Sequence, residues 1–310
     1  MSRGRINFTA ANKLRKIINQ NKPDIIQGWM YHGNLAALLG SIMTKKDIKL
    51  SWTIRLSLEI FKSMKLSTRI AIRLGSYLSR IPDLIIYNST RSLYQHRHSG
   101  FSEKKDFFIP NGFDTKAWKP DTRIRLSLRK SLGISKASTI IGYVGRGDDQ
   151  KDIPTLFKAF EIVSKKHQNI FLVTIGRNLK KYPINNKNII FLGKCENMLE
   201  IYKTMDIVVL PSWREGLSKS LLEAAAMELP IITTNVPGCR DIIKDKYSGL
   251  VVAPKNENEL KLAIKNYLEN PNLAIQYGKN ARKTILEKFN LQLINRKILS
   301  IYEEFNFKKK

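Results

Sequence analysis

The sequence is short of cysteine and short of negative charge, and each shortage narrows what the protein can be. Cys195 and Cys239 are the two cysteines. They are too few for a disulfide framework or a cysteine-rich zinc site, so a reducing compartment fits. The four histidines are scattered without metal-ligand spacing, so no metal is expected. No run approaches the ~20 apolar residues that span a bilayer. The basic opening MSRGRINFTAANKLRK holds no apolar core of signal-peptide length, so the expected location is cytoplasmic. Against 54 Lys and Arg stand 26 Asp and Glu, a formal net charge of +28. Such an excess repels itself unless it meets anions, and nucleic acid, an acidic membrane face and a phosphorylated substrate all qualify. Nucleic acid is set aside, because no readout motif or stacking-aromatic platform is recognisable.

What is present is a chain of 310 residues, 43% of them hydrophobic, enough for two packed domains. From Thr139 onward short β-rich runs (TIIGYVG, NIFLVTIG, NIIFLG, DIVVLPS, PIITTN, GLVVAP) alternate with helix-like stretches over 152–167, 196–205, 217–227 and 257–268. Strands apolar throughout, separated by helices, predict a parallel sheet covered on both faces. The first part repeats the pattern more weakly: a basic helix around Ile17 and Ile18, strands PDIIQGW, KLSWTI and DLIIYNS, and helices at NLAALLGSIM and 62–79. IPNGFDTKAWKP, with Pro110, Asn111-Gly112 and Pro120, punctuates the chain as a linker. The expected organisation is an N-terminal domain over 1–115, a C-terminal domain over 116–290, and a final helix over 291–310 packing back toward the first. Open parallel sheets bind ligands beyond the carboxyl ends of their strands, so the loops there are the ones to inspect.

Two of those loops carry chemistry. In GYVGRGDDQKD, glycines 142, 145 and 147 allow sharp turns while Arg146 and Lys151 stand by the strand end. A guanidinium fork and an ammonium there suit a diphosphate, and the spacing is not a dinucleotide fingerprint. In DIVVLPSWREGLSKSLLEAAAMELP a strand runs into a loop bearing Glu215, and a helix opens at Gly216-Leu217-Ser218. The free amides of a helix start attract anions. Glu223, near the second turn, leans toward that end and can accept hydrogen bonds from hydroxyls. Two carboxylates flanking a helix-bound phosphate describe a nucleoside diphosphate sugar.

Glu215, seven residues and Glu223 resemble the E-x7-E element of the family-4 (group 1) GT-B glycosyltransferases. PDIIQGWMYHGNLAALLG, IIYNS, IPNGFD, GYVGR with KD, FLG, PSWREGLSKSLLEA, NVPGC and SGLVV stand around it in that family's order. The resemblance implies an α/β fold of GT-B type, two Rossmann-like parallel-sheet domains facing across a cleft. It also implies a retaining transferase that uses a nucleoside diphosphate sugar, UDP by default, with no cofactor and no metal. By that resemblance Arg146 and Lys151 grip the diphosphate, the amides of Gly216, Leu217 and Ser218 hold its distal phosphate, Glu223 binds the ribose, and Glu215 contacts the transferred sugar. His32, in WMYHGN, is a candidate for the acceptor side, with a structural capping role as its rival. Arg55 stands near a histidine of many relatives and suits an anionic acceptor contact, and His98 is expected to pack its helix against the linker. Trp29 and Trp52 are core or cleft-lining candidates.

Departures from the family pattern are Glu228, where many relatives have glycine, and Asp241 in place of a glutamate. Relatives also begin with further βα units and a Gly-Gly loop, so the N-terminal domain is expected to be incomplete. The expected activity is sugar transfer to a lipid-linked or oligosaccharide acceptor in surface polysaccharide assembly (lipopolysaccharide, capsule or exopolysaccharide). Basic N-terminal helices are expected to touch an anionic membrane peripherally. The alternative is a non-catalytic or partner-dependent subunit that binds nucleotide alone.

Overall fold

Short apolar runs alternating with helices build two all-parallel sheets. The computed structural model describes residues 8–44, 48–58, 61, 64–120 and 125–307. The chain divides into one unit of Met1–Asn111 with Ile294–Lys310 and another of Gly112–Leu293.

In the first unit, strands β1 (Ile25–Trp29), β2 (Lys49–Ile54), β3 (Leu84–Tyr87) and β4 (Asp106–Phe108) lie in that spatial order. Helices α1 (Phe8–Asn21), α2 (Met30–Ile42), α3 (Leu66–Leu78) and α4 (Thr90–His98) alternate with them. The helix expected over 62–79 is α3, and Lys62 and Ser63 lie outside the described residues. Ser89 starts α4 by accepting from the Ser92 amide at 3.1 Å, one of the orphan donors of a helix start. Trp52, Ile54 and Tyr87 are fully enclosed in the core on one sheet face. From Ile294 onward, helix α12 (Leu291–Phe307) belongs to this unit and packs Ile294, Ile298, Tyr302 and Phe305 on Leu84, Ile86, Phe107 and Ile109.

The second unit holds helix α5 (Arg125–Ser131) and strands β5 (Thr139–Val144), β6 (Ile170–Ile175), β7 (Ile189–Gly193), β8 (Ile207–Leu210), β9 (Ile231–Thr234) and β10 (Leu250–Val252). Their order is β10-β9-β8-β5-β6-β7, every pair parallel. Helices α6 (Ile153–Lys166), α7 (Met198–Tyr202), α8 (Lys219–Ala226), α9 (Pro237–Arg240), α10 (Glu257–Glu269) and α11 (Pro271–Lys288) cover it. The central strands are apolar throughout because both faces are buried. Ile140, Ile141, Leu172, Val173 and Val209 are wholly enclosed, and each such side chain contributes about 1.5–3 kcal/mol.

Glu228, the glycine departure, sits at φ +58 just past α8. Left-handed backbone costs a side-chain-bearing residue about 1–2 kcal/mol. Arg282 of α11 stands against this turn, with Nε 3.4 Å from the Glu228 carboxylate and a guanidinium bond to the Ala226 carbonyl.

Candidate active site

The order of the second sheet reverses between β5 and β8: β6 and β7 extend one way from β5, β9 and β10 the other way from β8. Such a switch point opens a crevice at the carboxyl ends of the two strands. The loops leaving β5 and β8 are the two that carry the candidate residues.

The turn after β5 is held by backbone. Gly145 donates to the Ile175 carbonyl at 2.9 Å and Gly147 to that of Arg177 at 2.8 Å. Opposite them Gly176 sits at φ +143, where a Cβ would stand 1.8 Å from the Gly145 oxygen. The buried Tyr143 hydroxyl donates to the Arg146 carbonyl at 3.0 Å, fixing that residue's backbone while its side chain points to solvent, 68% exposed. Arg146 Nη2 lies 2.9 Å from Asp148. A 3-10 turn over Asp149–Lys151 then ends in Asp152 at φ +48.

The loop after β8 is tied onto that turn. Trp213 donates its amide to the Gln150 carbonyl at 3.0 Å and its indole N–H to the Asp149 carbonyl at 2.8 Å. Arg214 Nε reaches the Gln150 side chain at 3.1 Å. These ties bring Lys151 Nζ to 2.5 Å from Glu215 Oε1, with both side chains nearly buried at 12% and 9% exposure. An ammonium has three donors. One held by Glu215 leaves two for a ligand oxygen.

The helix expected from Leu217 starts later, α8 at Lys219, with Ser218 extended as its N-cap. Ser218 meets Ser220 Oγ at 3.1 Å instead of capping. The amides of Gly216, Leu217 and Ser218 therefore form the lead-in to the helix, and among the described residues they meet no backbone acceptor. Gly238 of NVPGC packs beneath them so closely that a Cβ would fall 1.4 Å from the Gly216 oxygen.

Glu223 lies on the inner side of α8, 4% exposed. The fully enclosed Tyr202 donates to its Oε2 at 3.0 Å, and Lys219 one turn earlier stands 3.3 Å from Oε1. Burial raises its carboxyl above the ordinary value, while Lys219 and Tyr202 pull it back down. Tyr202, Lys219 and Gly238 extend the set read from sequence. The Lys219–Glu223 spacing of four and the NVPGC motif that holds Gly238 are the sequence signals among them.

His32 belongs to the first unit. It is exposed in the first turn of α2 and caps nothing, the N-cap position being Trp29. Around it at the carboxyl end of the sheet, Trp29 is 51% exposed and carries the Arg55 guanidinium 4.0 Å over its ring. Arg55 Nη1 donates to Asn111 at 2.5 Å, and its Nε is buried without an acceptor. Trp52 is core. His98 is exposed, its ring tilted against that of Tyr94 with centroids 4.0 Å apart. The buried histidine is His96, enclosed by Tyr31, Tyr87 and Phe101. Among the described residues no three His, Cys, Asp or Glu side chains are grouped to hold a metal ion.

The family described as "Glycosyl transferases group 1" matches residues 125–284, and "Glycosyltransferase Family 4" matches residues 1–117. The capsular polysaccharide biosynthesis glycosyltransferase CapM of Staphylococcus aureus is 26% identical over 94% of this chain and 80% of its own length. The N,N'-diacetylbacillosaminyl-diphospho-undecaprenol alpha-1,3-N-acetylgalactosaminyltransferase of Campylobacter jejuni is 32% identical over 67% of this chain, which spans 56% of that protein. In fold, the chain is similar to Anabaena HepE, solved in complex with UDP-glucose, with a TM-score of 0.81 at 18% identity over 95% of this chain and 82% of the other. A glycosyltransferase structure from Rickettsia africae gives 0.82 at 20% identity over 100% and 85%. Two parallel-sheet units, the loops at the switch point and both family matches converge: the chain belongs to the group 1 glycosyl transferases and has their GT-B fold.

Proposed function

We propose that the chain moves a sugar from a nucleoside diphosphate sugar, UDP as nucleotide, to a lipid-linked or oligosaccharide acceptor in surface polysaccharide assembly, with retention of configuration. The observation that carries this reading is the Lys151–Glu215 pair, which sets a cation and a carboxylate side by side. The pair joins the turn that carries Arg146 to the loop whose Gly216, Leu217 and Ser218 amides meet no backbone acceptor among the described residues. Arg146, Lys151 and the amides of Gly216, Leu217 and Ser218 hold the diphosphate. Glu223 accepts from the ribose hydroxyls and Glu215 from the transferred sugar. Breaking the sugar–phosphate bond places negative charge on the leaving nucleoside diphosphate. Fixed donors aimed there stabilise that charge without reorganisation. The acceptor hydroxyl attacks from the same face and passes its proton to the departing phosphate.

On the acceptor side, Arg55 offers a half-buried guanidinium that pairs with no carboxylate among the described residues. It suits an anionic acceptor, with exposed Trp29 against it and exposed His32 in the first turn of α2. The names of relatives support such substrates, since the Campylobacter protein acts on a diphospho-undecaprenol sugar and CapM serves capsule biosynthesis. We assign the protein to the cytoplasmic side of the membrane, in peripheral contact with anionic lipid. No described helix is long and apolar enough to cross it.

The test is Arg146→Ala, assayed by calorimetry with uridine diphosphate and with uridine. A charge-assisted bond is worth about 1.5–3 kcal/mol, so diphosphate affinity should fall by tenfold or more and uridine affinity should hold. Equal loss of both ligands would refute the diphosphate role. Diphosphate binding with no transfer from any UDP-sugar would assign the chain to the partner-dependent subunit instead.

A further inference from the structure

Lys219 stands where a helix by itself would not put a cation. It is the first residue of α8, directly after the N-cap Ser218, and the first turn of that helix holds no acidic residue. The unpaired amides of a helix start carry partial positive charge, so an ammonium there is unfavourable until an anion joins it.

The ion pair that Lys219 makes does not account for this placement. Its Nζ lies 3.3 Å from Glu223 Oε1, one turn further along, and the lysine side chain is 82% exposed. Lysine N-terminal to glutamate is the weaker order for such a pair. Helical side chains lean toward the N-terminus, so Lys219 has to turn the other way to meet Glu223. An exposed pair of this kind contributes little in water. Glu223 does not depend on it either, because the enclosed Tyr202 holds the other oxygen, Oε2, at 3.0 Å.

The natural lean of Lys219 points to the lead-in of α8, where the amides of Gly216, Leu217 and Ser218 meet no backbone acceptor among the described residues. A lysine is a compact charge with three donors on a flexible four-carbon stem, so it can trade one partner for another nearby. Its departure would open Glu223 Oε1 to a hydroxyl donor.

We propose that Lys219 is a donor-binding residue that exchanges partners. In the empty site it rests on Glu223. When a nucleoside diphosphate binds, it yields Oε1 to a ribose hydroxyl and pairs with the distal phosphate at the helix start. The proposal rests on the roles given above to Glu223 and the three amides, and adds the step that couples them. The exchange favours diphosphate over bare nucleoside: with no phosphate at the helix start, Lys219 stays on Glu223 and competes with the ribose.

The experiment titrates uridine and uridine diphosphate calorimetrically into the wild type, Lys219→Gln, Lys219→Arg and Arg146→Ala. Lys219→Gln should bind the diphosphate about tenfold more weakly, the size of one charge-assisted bond. It should bind uridine as tightly as the wild type or tighter, since nothing then competes for Glu223. Lys219→Arg keeps the charge and should bind the diphosphate more nearly like the wild type than like the glutamine variant. Wild-type diphosphate affinity in Lys219→Gln overturns the proposal. Equal loss of both ligands also overturns it, because Lys219 would then serve only to hold Glu223 in place. An arginine variant as weak as the glutamine one does the same, since charge would not be what matters. Diphosphate loss in Arg146→Ala without any in Lys219→Gln counts against the exchange alone, whereas a wild type that binds neither ligand refutes the donor reading and the exchange with it.

Discussion

Lys151 Nζ and Glu215 Oε1 lie 2.5 Å apart and join the turn after β5 to the loop after β8. Neither side chain is more than 12% exposed. Removing one partner strands the other charge away from water, at a cost of about 3 kcal/mol or more. Lys151→Ala and Glu215→Ala should therefore each destabilise the second unit by about that much, and the double variant by clearly less than the sum. Urea unfolding of the four proteins measures the coupling. Strict additivity would mean that the pair is not formed in solution.

Glu223 carries a conflict between stability and binding. Its folded carboxyl is raised by burial, so over the interval above the ordinary glutamate value the folded state holds the extra proton. Stability then falls as pH rises through that interval and returns as pH drops. Glu223→Gln removes the buried charge and keeps an acceptor for the Tyr202 hydroxyl. It should melt no lower than wild type at neutral pH while losing about tenfold in affinity for uridine, one charge-assisted bond or slightly less. Scanning calorimetry and titration calorimetry give the two quantities. A melting temperature several degrees lower would place the stabilising role of Glu223 above its cost.

Gly238 and Gly216 should respond oppositely to the same change. A Cβ on Gly238 would meet the Gly216 oxygen at 1.4 Å, whereas one on Gly216 meets nothing within 4 Å. Gly238→Ala must push the lead-in of α8 out of place, so it should abolish uridine diphosphate binding and lower the melting temperature. Gly216→Ala should leave the fold as stable as before. Equal tolerance of both would show that the loop is not held at this contact.

These sites mark where sequence reasoning reaches and where it stops. The strands were legible because burial on both faces makes them apolar throughout, as in Ile140–Ile141 and Val208–Val209. Arg146, Lys151, Glu215 and Glu223 were legible because strand-end loops and a helix start have local signatures. Tyr202 was not: it meets Glu223 through a fold contact between helices with no shared periodicity. Gly238 was visible only as part of a motif, since its close approach is to a distant loop. In the HRH run of α4, residues two apart point to different sides of the helix. Only the packing of α4 decides that His96 is enclosed and His98 exposed.

His96 makes the first unit sensitive to acid. It is wholly buried, its Nε2 lies 2.9 Å from the Tyr31 hydroxyl and its Nδ1 2.7 Å from the Ser92 carbonyl. A carbonyl can only accept, so Nδ1 carries the proton and Tyr31 donates to Nε2, which fixes a neutral ring. Burial pushes the imidazole down from 6.5 to about 4, against the opposing bond to Ser92. Between those values the unfolded chain binds a proton that the folded one does not, so stability rises with pH across the window and is lost as pH falls through it. The difference amounts to about 3 kcal/mol at roughly 1.4 kcal/mol per unit. Unfolding free energies measured between ~pH 7 and ~pH 4 should show that loss, and His96→Gln, which keeps a polar group and cannot titrate, should flatten it. Because α2 carries both Tyr31 and the adjacent His32, amide exchange in the first turns of α2 and α4 should accelerate together as the wild type is acidified. An equally steep acid loss in His96→Gln would assign it to carboxylates elsewhere and leave this ring a silent part of the core.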